Sequence, residues 1–373
     1  MSIQTESRTA LKELIQLLQE VDEHWCSEER NLHSPEDIAG SHRALMHILE
    51  ASLVGYFEQD AKKPNFRRIV TPGRKLTGDN SDAIYFDAPL HPDNSYVING
   101  ETNGAVYFSM TIENDTFDGR MAKTTGGVIN DTQLDIDEAG KFTIYLGGEP
   151  RPRNWLPLNE GASRVTTRHY YEHVDAAAKN PDREPRMHIE CLGKTEAAPP
   201  PDDTSIAAGI RRVGNAVRSR TLDMPALSGA DMPAFLSPVP NEFPTPQTPG
   251  NFGLAAFDAH YSMAPFFIDS DEALVITGRW PDCRFGNVCL WNRFQQTLDY
   301  VDRTVSLNRT QTQLNDDGSF KMILAHEDPG LPNWMDTEGN LFGLVFWRFF
   351  LVEGEVETPQ AEVVKFSDLT GGQ

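Results

Sequence analysis

Apolar positions in the first sixty residues follow a helical period. They recur at spacings of three and four, which places them on one helix face, at Leu11, Leu14, Ile15, Leu18 and Val21. A second helix begins at the segment Ser34-Pro-Glu-Asp37. Its Ser is suited to cap the helix, its Pro occupies the first helical position, and its acids lie in the first turn. The pattern predicts an N-terminal pair of helices.

From about residue 66 the pattern changes to short runs of β-branched and aromatic residues. Gly, Asn and Asp turns separate these runs, which include residues 83–86, 96–98, 106–112 and 141–146. Strand-like runs resume at about residue 255 and continue to 365. Many short strands between turns are typical of a β-sandwich or jelly roll rather than of alternating β and α units.

Proline-rich passages divide the chain. Residues 197–205 and 232–249 carry prolines that block both a helix and a central strand. Between them, one helix is predicted from Ile206, Ile210, Val213 and Val217. The predicted organisation is an N-terminal helical segment (1–62), a first β domain (63–195), a proline-rich linker with one helix (196–254) and a second β domain (255–373).

The two β regions repeat each other at a nearly constant offset of 178 residues. The matched segments are 97–100 with 275–278, 130–142 with 308–320, 154–155 with 333–334, and 85–89 with 261–265. Strands ending near Arg168 and Arg348 close the two units. The sequence therefore predicts a mainly β protein, α+β overall, with two tandem jelly-roll or β-sandwich-like domains. These domains are related by internal duplication and are expected to pack about a pseudo-twofold axis.

Charge and missing motifs exclude several classes of function. A net charge of −22 disfavours nucleic acid and anionic membrane as partners. The four cysteines are scattered without metal-ligand spacing, and no P-loop, zincin, nucleophile-elbow or dinucleotide-binding motif occurs, so no metal and no cofactor is predicted. The N-terminus lacks the pattern of a secretory signal, and a cytoplasmic location is expected.

Three segments carry a family resemblance. GDNSDAIYFDAPL (78–90), NSYVINGETNGAVYFS (94–109) and DPGLPNWMDTEGNLFGLVFWRFF (328–350) resemble the bacterial proteins of domain-of-unknown-function family 1214. They are most similar to a branch found fused or adjacent to sulfotransferases. The resemblance covers about residues 66–195 and 255–365, and it implies a jelly-roll-like β fold without a settled activity. The first repeat departs from the Asn-Trp-x-Asp motif of the second, since Pro157 stands where the second repeat has Asp336.

Polar and aromatic residues that recur in both repeats, together with Asp336 of the second-repeat motif, are the candidate ligand-binding residues. They are Asn130, Trp155, Arg168, Asn308, Asn333, Trp334, Asp336 and Arg348. Each Trp lies at a loop-to-strand junction, where the ring either plugs the end of a sandwich or stacks on a ligand such as a sugar. Each Arg either holds a carboxylate inside the fold or binds a substrate anion.

A catalytic group is predicted at the start of the second repeat. Asp258 and His260 share parity on an extended strand, and Tyr261 follows. Such a group suits general acid-base chemistry. The alternative is an ordinary hydrogen-bonded His at a domain interface.

The leading hypothesis is a protein that handles a small molecule. The ligand, a carbohydrate or a hydrophobic metabolite such as a sterol or terpenoid, would bind between the two β domains. One version is a cofactor-independent hydrolase or lyase, and the sequence leaves open whether the protein is an enzyme. The alternative is a structural or interaction protein whose N-terminal helices form a homo-oligomer or dock to a partner enzyme.

Overall fold

A computed structural model describes residues 3–193, 198–224, 232–251 and 253–371. Its α-helices are α1 (Glu6–His24), α2 (Pro35–Ser52), α3 (Asp203–Ser219) and α4 (Phe366–Thr370). A single π-helical turn, Leu53–Phe57, continues α2. The predicted domain boundary after residue 195 falls within 194–197, outside the described residues.

The strands of the first half precede residue 192. They are β1 (Arg67–Arg68), β2 (Ala83–Pro89), β3 (Tyr96–Glu101), β4 (Tyr107–Asn114), β5 (Thr125–Asn130), β6 (Lys141–Leu146), β7 (Trp155–Leu156), β8 (Ala162–Tyr170) and β9 (Met187–Cys191). Those of the second half are β10 (Ala259–Phe267), β11 (Glu272–Gly278), β12 (Phe285–Trp291), β13 (Ser306–Asn308), β14 (Phe320–Ala325), β15 (Trp334–Asp336), β16 (Phe342–Phe350) and β17 (Gln360–Lys365).

The strands form four sheets that lie in layers. The first inner sheet has the order β1-β2-β8-β4-β5, and the first outer sheet has the order β7-β6-β3-β9. The second inner sheet is β10-β16-β12-β13, and the second outer sheet is β15-β14-β11-β17. Each inner sheet packs one face on its own outer sheet through an apolar core. The opposite faces of the two inner sheets meet each other in a third core, which the N-terminal helices also join.

The duplication predicted from the sequence is visible strand by strand. Leaving β1 aside, both inner sheets and both outer sheets repeat the same strand order. The register repeats as well, because Tyr85 lies opposite Arg168 in the first inner sheet and Tyr261 lies opposite Arg348 in the second. The prediction of a mainly β protein built from two sheet-rich halves, with N-terminal helices, is confirmed.

The N-terminal helices agree with the sequence in position but not in every buried residue. Ser34 caps α2, and Asp37 returns the bond in a capping box. In α1, however, the buried residues are Ala10, Leu17 and Val21, whereas Leu11 and Ile15 are exposed. The predicted stripe was therefore wrong at those two positions, because the helix turns the side that carries Ala10 and Leu17 toward the core.

Two further features are the state of the cysteines and the character of the helices. All four cysteines are buried and free. Among the helices that the structure describes, none is long and apolar enough to cross a membrane.

Candidate functional site

A cavity of about 730 Å³ lies between the two inner sheets. The end of α2 and its π-helical turn border it, as do the segment 67–70 and two stretches of the linker, 232–236 and 253–254. Small-molecule sites in proteins typically enclose about 300–1,000 Å³ and favour interfaces between domains. The cavity is thus large enough for a metabolite of drug size.

Apolar side chains dominate the cavity wall. They include Val54, Ile69, Val70, Leu76, Phe235, Leu236, Leu254, Trp291 and Phe346, together with Met121, Met224, Met232 and Met263. These four methionines are a large share of the ten in the chain. Because the thioether chain is flexible and polarizable, methionine adapts to irregular apolar surfaces. The wall is suited to a predominantly apolar ligand.

Three buried tyrosines line the same cavity. Tyr85 donates a hydrogen bond to the Tyr170 hydroxyl at 3.2 Å. Burial raises the pKa of Tyr85 well above its ordinary value, and burial likewise raises the pKa values of Tyr170 and Tyr261. The three phenols therefore stay neutral at physiological pH, and since Tyr85 donates its hydroxyl hydrogen to Tyr170, the hydroxyls of Tyr170 and Tyr261 are the donors open to a ligand.

Two arginines at equivalent positions reach across between the halves. Arg168 Nη2 donates to the carbonyl of Leu254 at 2.9 Å, and Arg348 Nη2 donates to the carbonyl of Gly78 at 3.0 Å. Both acceptor residues have positive φ, 66° and 90°. Each half thus holds the other by the same backbone contact, and both arginines line the cavity.

The neighbours of these two arginines differ. Arg168 lies 3.7 Å from the Glu113 carboxylate and donates to the hydroxyl of Thr111. In the second half, the strand register places Trp291 at the position of Glu113. No carboxylate of the described residues forms an ion pair with Arg348.

Other cavity-facing positions of the two inner sheets also differ between the halves. Arg164 and Asp87 form a buried ion pair at 2.5 Å in the first half. The strand register puts Leu344 and Met263 at the corresponding positions of the second half. Apart from Arg348, the second inner sheet therefore supplies uncharged groups to the cavity, whereas the first supplies several charged ones.

Arg348 is packed among aromatic rings. Its guanidinium carbon lies 4.1 Å from the ring centroid of Phe346 and 4.9 Å from that of Trp291. Nη2 also donates to the carbonyl of Asp79 at 3.1 Å. Within the described part of the chain, Nη1 is buried and has no hydrogen-bond partner. Arg164 Nε, on the same wall, also has no partner among the described residues, but Arg164 is paired with Asp87, whereas Arg348 has no ion-pair partner there.

Residues 79–82 are buried where the halves meet. Asn80 and Asn287 exchange hydrogen bonds through their side-chain amides, at 2.8 and 3.3 Å, and Asn287 also donates to Asp82 at 3.0 Å. The Asp79 carboxylate accepts two bonds from Thr297, each 2.7 Å long. Burial raises the pKa of Asp79 to about 6 and that of Asp82 to about 7. The most polar part of the first family-like motif thus joins the two halves.

The structure does not bring the three predicted catalytic residues together. Asp258 precedes β10 and accepts hydrogen bonds from Tyr107 Oη at 2.6 Å and from Asn130 Nδ2 at 2.7 Å. Tyr261 contributes to the core between the inner sheets, and His260, its neighbour on the strand, points to the opposite face. Burial lowers the pKa of His260, because desolvation favours the neutral imidazole over its charged form. Acid-base catalysis by this group stays a prediction.

The paired amides Asn130 and Asn308 lie at the ends of β5 and β13 and contact the opposite half. Asn130 reaches Asp258, as described, and Asn308 Nδ2 donates to the carbonyl of His173 at 2.9 Å. In both repeats the Gln three residues further on accepts from the Asn backbone N–H. The two amides therefore contact the junction between halves rather than the cavity wall.

The remaining predicted binding residues lie on the outer sheets. Trp155 Nε1 donates to the carbonyl of Gly147 at 2.9 Å, and Trp334 Nε1 donates to that of Ala325 at 3.1 Å. Asp336 is paired with Arg303 at 2.5 Å. Of the predicted binding residues, Arg168 and Arg348 line the cavity.

Asn333 has a contact set that its counterpart Asn154 repeats. Both have positive φ, 59° and 50°. The Asn333 amide donates to the carbonyls of Gln313 and Lys321 at 2.8 and 2.9 Å, and its oxygen accepts from the Gln313 N–H at 2.7 Å. The side chain thus holds a loop that approaches the outer strand β14.

Replacing Asn333 with Ala should lower the free energy of unfolding by about 2–3 kcal/mol, because three hydrogen bonds are lost and Ala disfavours a left-handed backbone. Urea unfolding measures the change. Asn333→Gly, which accepts the backbone angle but makes no side-chain bonds, should lose less. A loss of ligand binding at unchanged stability would instead assign Asn333 to a binding site.

One group of side chains has the composition of a metal site. Asp22, Cys26 and His42 bring a carboxylate oxygen, a thiol and a ring nitrogen within 4.8 Å of one another. The hydrogen bond between His42 and Asp22, 2.7 Å long, accounts for the approach of those two. Burial raises the pKa of the Cys26 thiol, which opposes the thiolate that a metal needs. We assign no metal to these residues.

Several cavity residues were not among the predicted site residues. Tyr85 could have been found, since the repeat matches it with Tyr261. Asp87, Glu113 and Arg164 carry a different signal, a charge inside a strand whose other residues are buried. Such a charge needs a partner in the interior. Nothing in the sequence marked the apolar linker residues of the cavity wall as site residues.

The fold and cavity define a class, a duplicated β-sandwich protein with a cavity between its halves. Residues 82–173, which run from just before β2 to just beyond β8, match the model of the family described as "Protein of unknown function (DUF1214)". The family resemblance inferred from the sequence motifs is thereby confirmed for the first half.

Solved structures support the fold. The chain is similar to an uncharacterised protein from Burkholderia cenocepacia, with a TM-score of 0.82, 24% sequence identity, and coverage of 96% of this chain and 97% of that one. The VPA0106 protein from Vibrio parahaemolyticus has a TM-score of 0.49 and 12% identity, with coverage of 86% and 100%. No curated protein matches the chain. The first of these similarities shows the fold alone.

Proposed function

We propose that this protein binds a small, predominantly apolar metabolite in the cavity between its inner sheets. The observation that carries the proposal is the cavity itself, about 730 Å³ in volume, with methionine, leucine, valine and aromatic side chains along most of its wall. Removal of apolar ligand surface from water stabilises such a complex by roughly 25 cal/mol per Å². A sterol or a terpenoid has the size and character that this wall accommodates.

The cavity favours an apolar ligand over a carbohydrate. A sugar carries a hydroxyl on most carbons, and each buried hydroxyl needs a hydrogen-bond partner. Many of the charged groups on the cavity wall already have partners within the chain, since Arg164 is paired with Asp87 and Arg168 donates to Thr111 and to the Leu254 carbonyl. The two Trp residues that would suit sugar stacking lie on the outer sheets, with their indole N–H groups bonded to backbone carbonyls.

A thermal-shift screen tests the proposal. Sterols and terpenoids should raise the melting temperature of the full chain, because a ligand that binds the native state alone stabilises it by mass action. Leu236→Trp replaces a leucine side chain on the cavity wall with a larger indole ring. This variant should abolish the ligand-induced rise in melting temperature. Leu314→Trp is the matched control, since Leu314 is exposed and does not line the cavity.

The outcomes separate the two functions inferred from the sequence. A shift with sugars but not with apolar compounds would overturn the assignment of ligand class. A uniformly flat screen would favour the interaction protein, for which α1 offers Leu11 and Ile15, two exposed apolar residues one helical turn apart. Turnover of a bound compound, lost in His260→Ala with binding retained, would support the acid-base enzyme.

A further inference from the structure

We propose that Arg348 binds an oxyanion, a carboxylate or a sulfate, at one end of the otherwise apolar ligand. This inference rests on the proposed function and adds the chemical class of the ligand, an apolar body with a single anionic group. It is carried by a comparison between the two halves of the same chain.

The duplication supplies an internal reference for a buried arginine. Arg168 and Arg348 occupy equivalent strand positions, and each donates to an equivalent backbone carbonyl of the other half. Arg168 has the Glu113 carboxylate at 3.7 Å, whereas Trp291 occupies the Glu113 position beside Arg348. The first half therefore places a carboxylate next to its arginine, whereas the second half has the Trp291 ring at that position and gives Arg348 no ion-pair partner among the described residues.

Two buried carboxyls feel the charge of Arg348 in space, those of Asp79 and Asp82, and both are bonded to other groups. Asp79 directs both carboxylate oxygens to Thr297, and Asp82 accepts from Asn287. Neither is within ion-pair distance of Arg348, where 4.0 Å is the limit, and the described residues offer no other acid there. Arg348 is 2% exposed, so water does not compensate its charge as it would at the surface.

Hydrogen-bond donors for a ligand group with two oxygens are available at Arg348 and beside it. Arg348 Nη1 is buried without a hydrogen-bond partner among the described residues. Tyr261 lies directly opposite on β10, lines the cavity, and makes no side-chain hydrogen bond within the described chain. A guanidinium with a neighbouring phenol matches the oxygens of a carboxylate or sulfate. The apolar wall formed by Phe346, Trp291 and Met263 begins beside these donors.

The test compares an acid with its neutral ester on the full-length protein. The fluorescent fatty acid cis-parinaric acid and its methyl ester are titrated into the wild type, and the ratio of their dissociation constants is the readout. The wild type should prefer the acid by at least tenfold. In Arg348→Gln the ratio should fall to near one, because the variant removes the cation and keeps a polar side chain. Competition by palmitate against hexadecanol, and by cholesterol sulfate against cholesterol, distinguishes a carboxylate on a chain from a sulfate on a ring system.

Arg212→Gln is the matched control. Arg212 also donates to two backbone carbonyls, those of Tyr56 and Phe57, at 2.9 and 3.0 Å, and it does not line the cavity. This variant should keep the preference for the acid. If Arg348→Gln keeps the preference too, or if the wild type binds acid and ester equally, the inference about Arg348 is overturned and apolar binding stands. If neither probe nor any competitor binds, the proposed function itself is overturned.

A second measurement needs no variant. The carboxyl signal of palmitate labelled with ¹³C at C1 is followed in the complex by NMR as the pH is lowered. Beside a buried guanidinium the carboxyl should stay ionised below the pH at which free carboxyl groups protonate, because a nearby positive charge lowers its pKa. A bound carboxyl that titrates as it does in solvent would overturn the assignment, even if Arg348→Gln fails to fold.

Discussion

Replacing Asp87 with methionine is expected to lower the free energy of unfolding by about 3–5 kcal/mol, the usual cost of stranding one member of a buried ion pair. Asp87 is bonded to Arg164 at 2.5 Å, and both side chains are almost fully buried. Without the carboxylate, the Arg164 charge remains in a low-dielectric interior beside a second arginine, Arg67, whose pKa burial already lowers. Urea unfolding followed by circular dichroism measures the loss.

The second half of the chain suggests the compensating change. Because Met263 and Leu344 occupy the corresponding positions there, Asp87→Met combined with Arg164→Leu should recover most of the stability. Recovery will be incomplete, since Arg164 also donates to the Gln59 side chain and to the Gly55 carbonyl, both at 3.0 Å. A double variant as unstable as Asp87→Met alone would show that the stranded charge is not the cause of the loss.

Asp82→Asn is expected to stabilise the protein at alkaline pH. The Asp82 carboxyl is buried between the halves, and its Oδ1 has no hydrogen-bond partner among the described residues. Burial raises its pKa from 3.8 to about 7. The folded state therefore binds a proton more tightly than the unfolded state does, and the stability gained from this proton is complete below pH 4.

That stability is lost as the pH rises through about 7, because the folded state must then bury a carboxylate. Asparagine is a neutral group of the same shape, and it keeps an oxygen that can accept from Asn287. Relative to the wild type, the variant should gain about 2–3 kcal/mol between pH 5 and pH 8, because the wild type loses about 1.36 kcal/mol for each pH unit up to about 7 and little more above it.

The difference in stability between Asp82→Asn and the wild type isolates the contribution of Asp82. Burial raises the pKa of Asp79 as well, and this group adds a pH dependence of the same sign to both proteins. Asp302, which is exposed, provides the control, and Asp302→Asn should show no pH-dependent gain. Parallel stability curves for Asp82→Asn and the wild type from pH 5 to pH 8 would exclude a buried, protonated Asp82.

The fold was largely predictable because its signals are local and occur twice. Alternating turns and apolar runs predict strands wherever they occur, and the matching of 130–142 with 308–320 predicts a common topology for the halves. Sequence periodicity was a weaker guide to the buried face of α1, because apolar residues at helical spacing continue onto the exposed side at Leu11 and Ile15. Which stripe is buried depends on the helix it meets, α3, and that partner is distant in sequence.

The site was less predictable than the fold. Arg168 and Arg348 were found because they repeat, and both line the cavity. Trp155 and Trp334 repeat equally well, yet they bond to backbone carbonyls on the outer sheets. Repetition alone therefore does not distinguish a residue that the fold needs twice from one that a ligand needs. The distinction comes from comparing environments, such as Glu113 with Trp291, and this requires the strand register.

The reciprocal contacts of Arg168 and Arg348 with opposite backbone carbonyls give the chain the contact pattern of a two-subunit assembly linked into one polypeptide. In an assembly of identical subunits, every substitution is introduced on both sides of the symmetry axis at once. A site on the axis would then have two arginines with acids or two without. Covalent linkage removes this constraint, so that one arginine can keep its acid and hold the halves together while its twin changes its neighbours. Internal duplication thus permits an asymmetric site at the centre of the molecule, which an assembly of identical subunits does not.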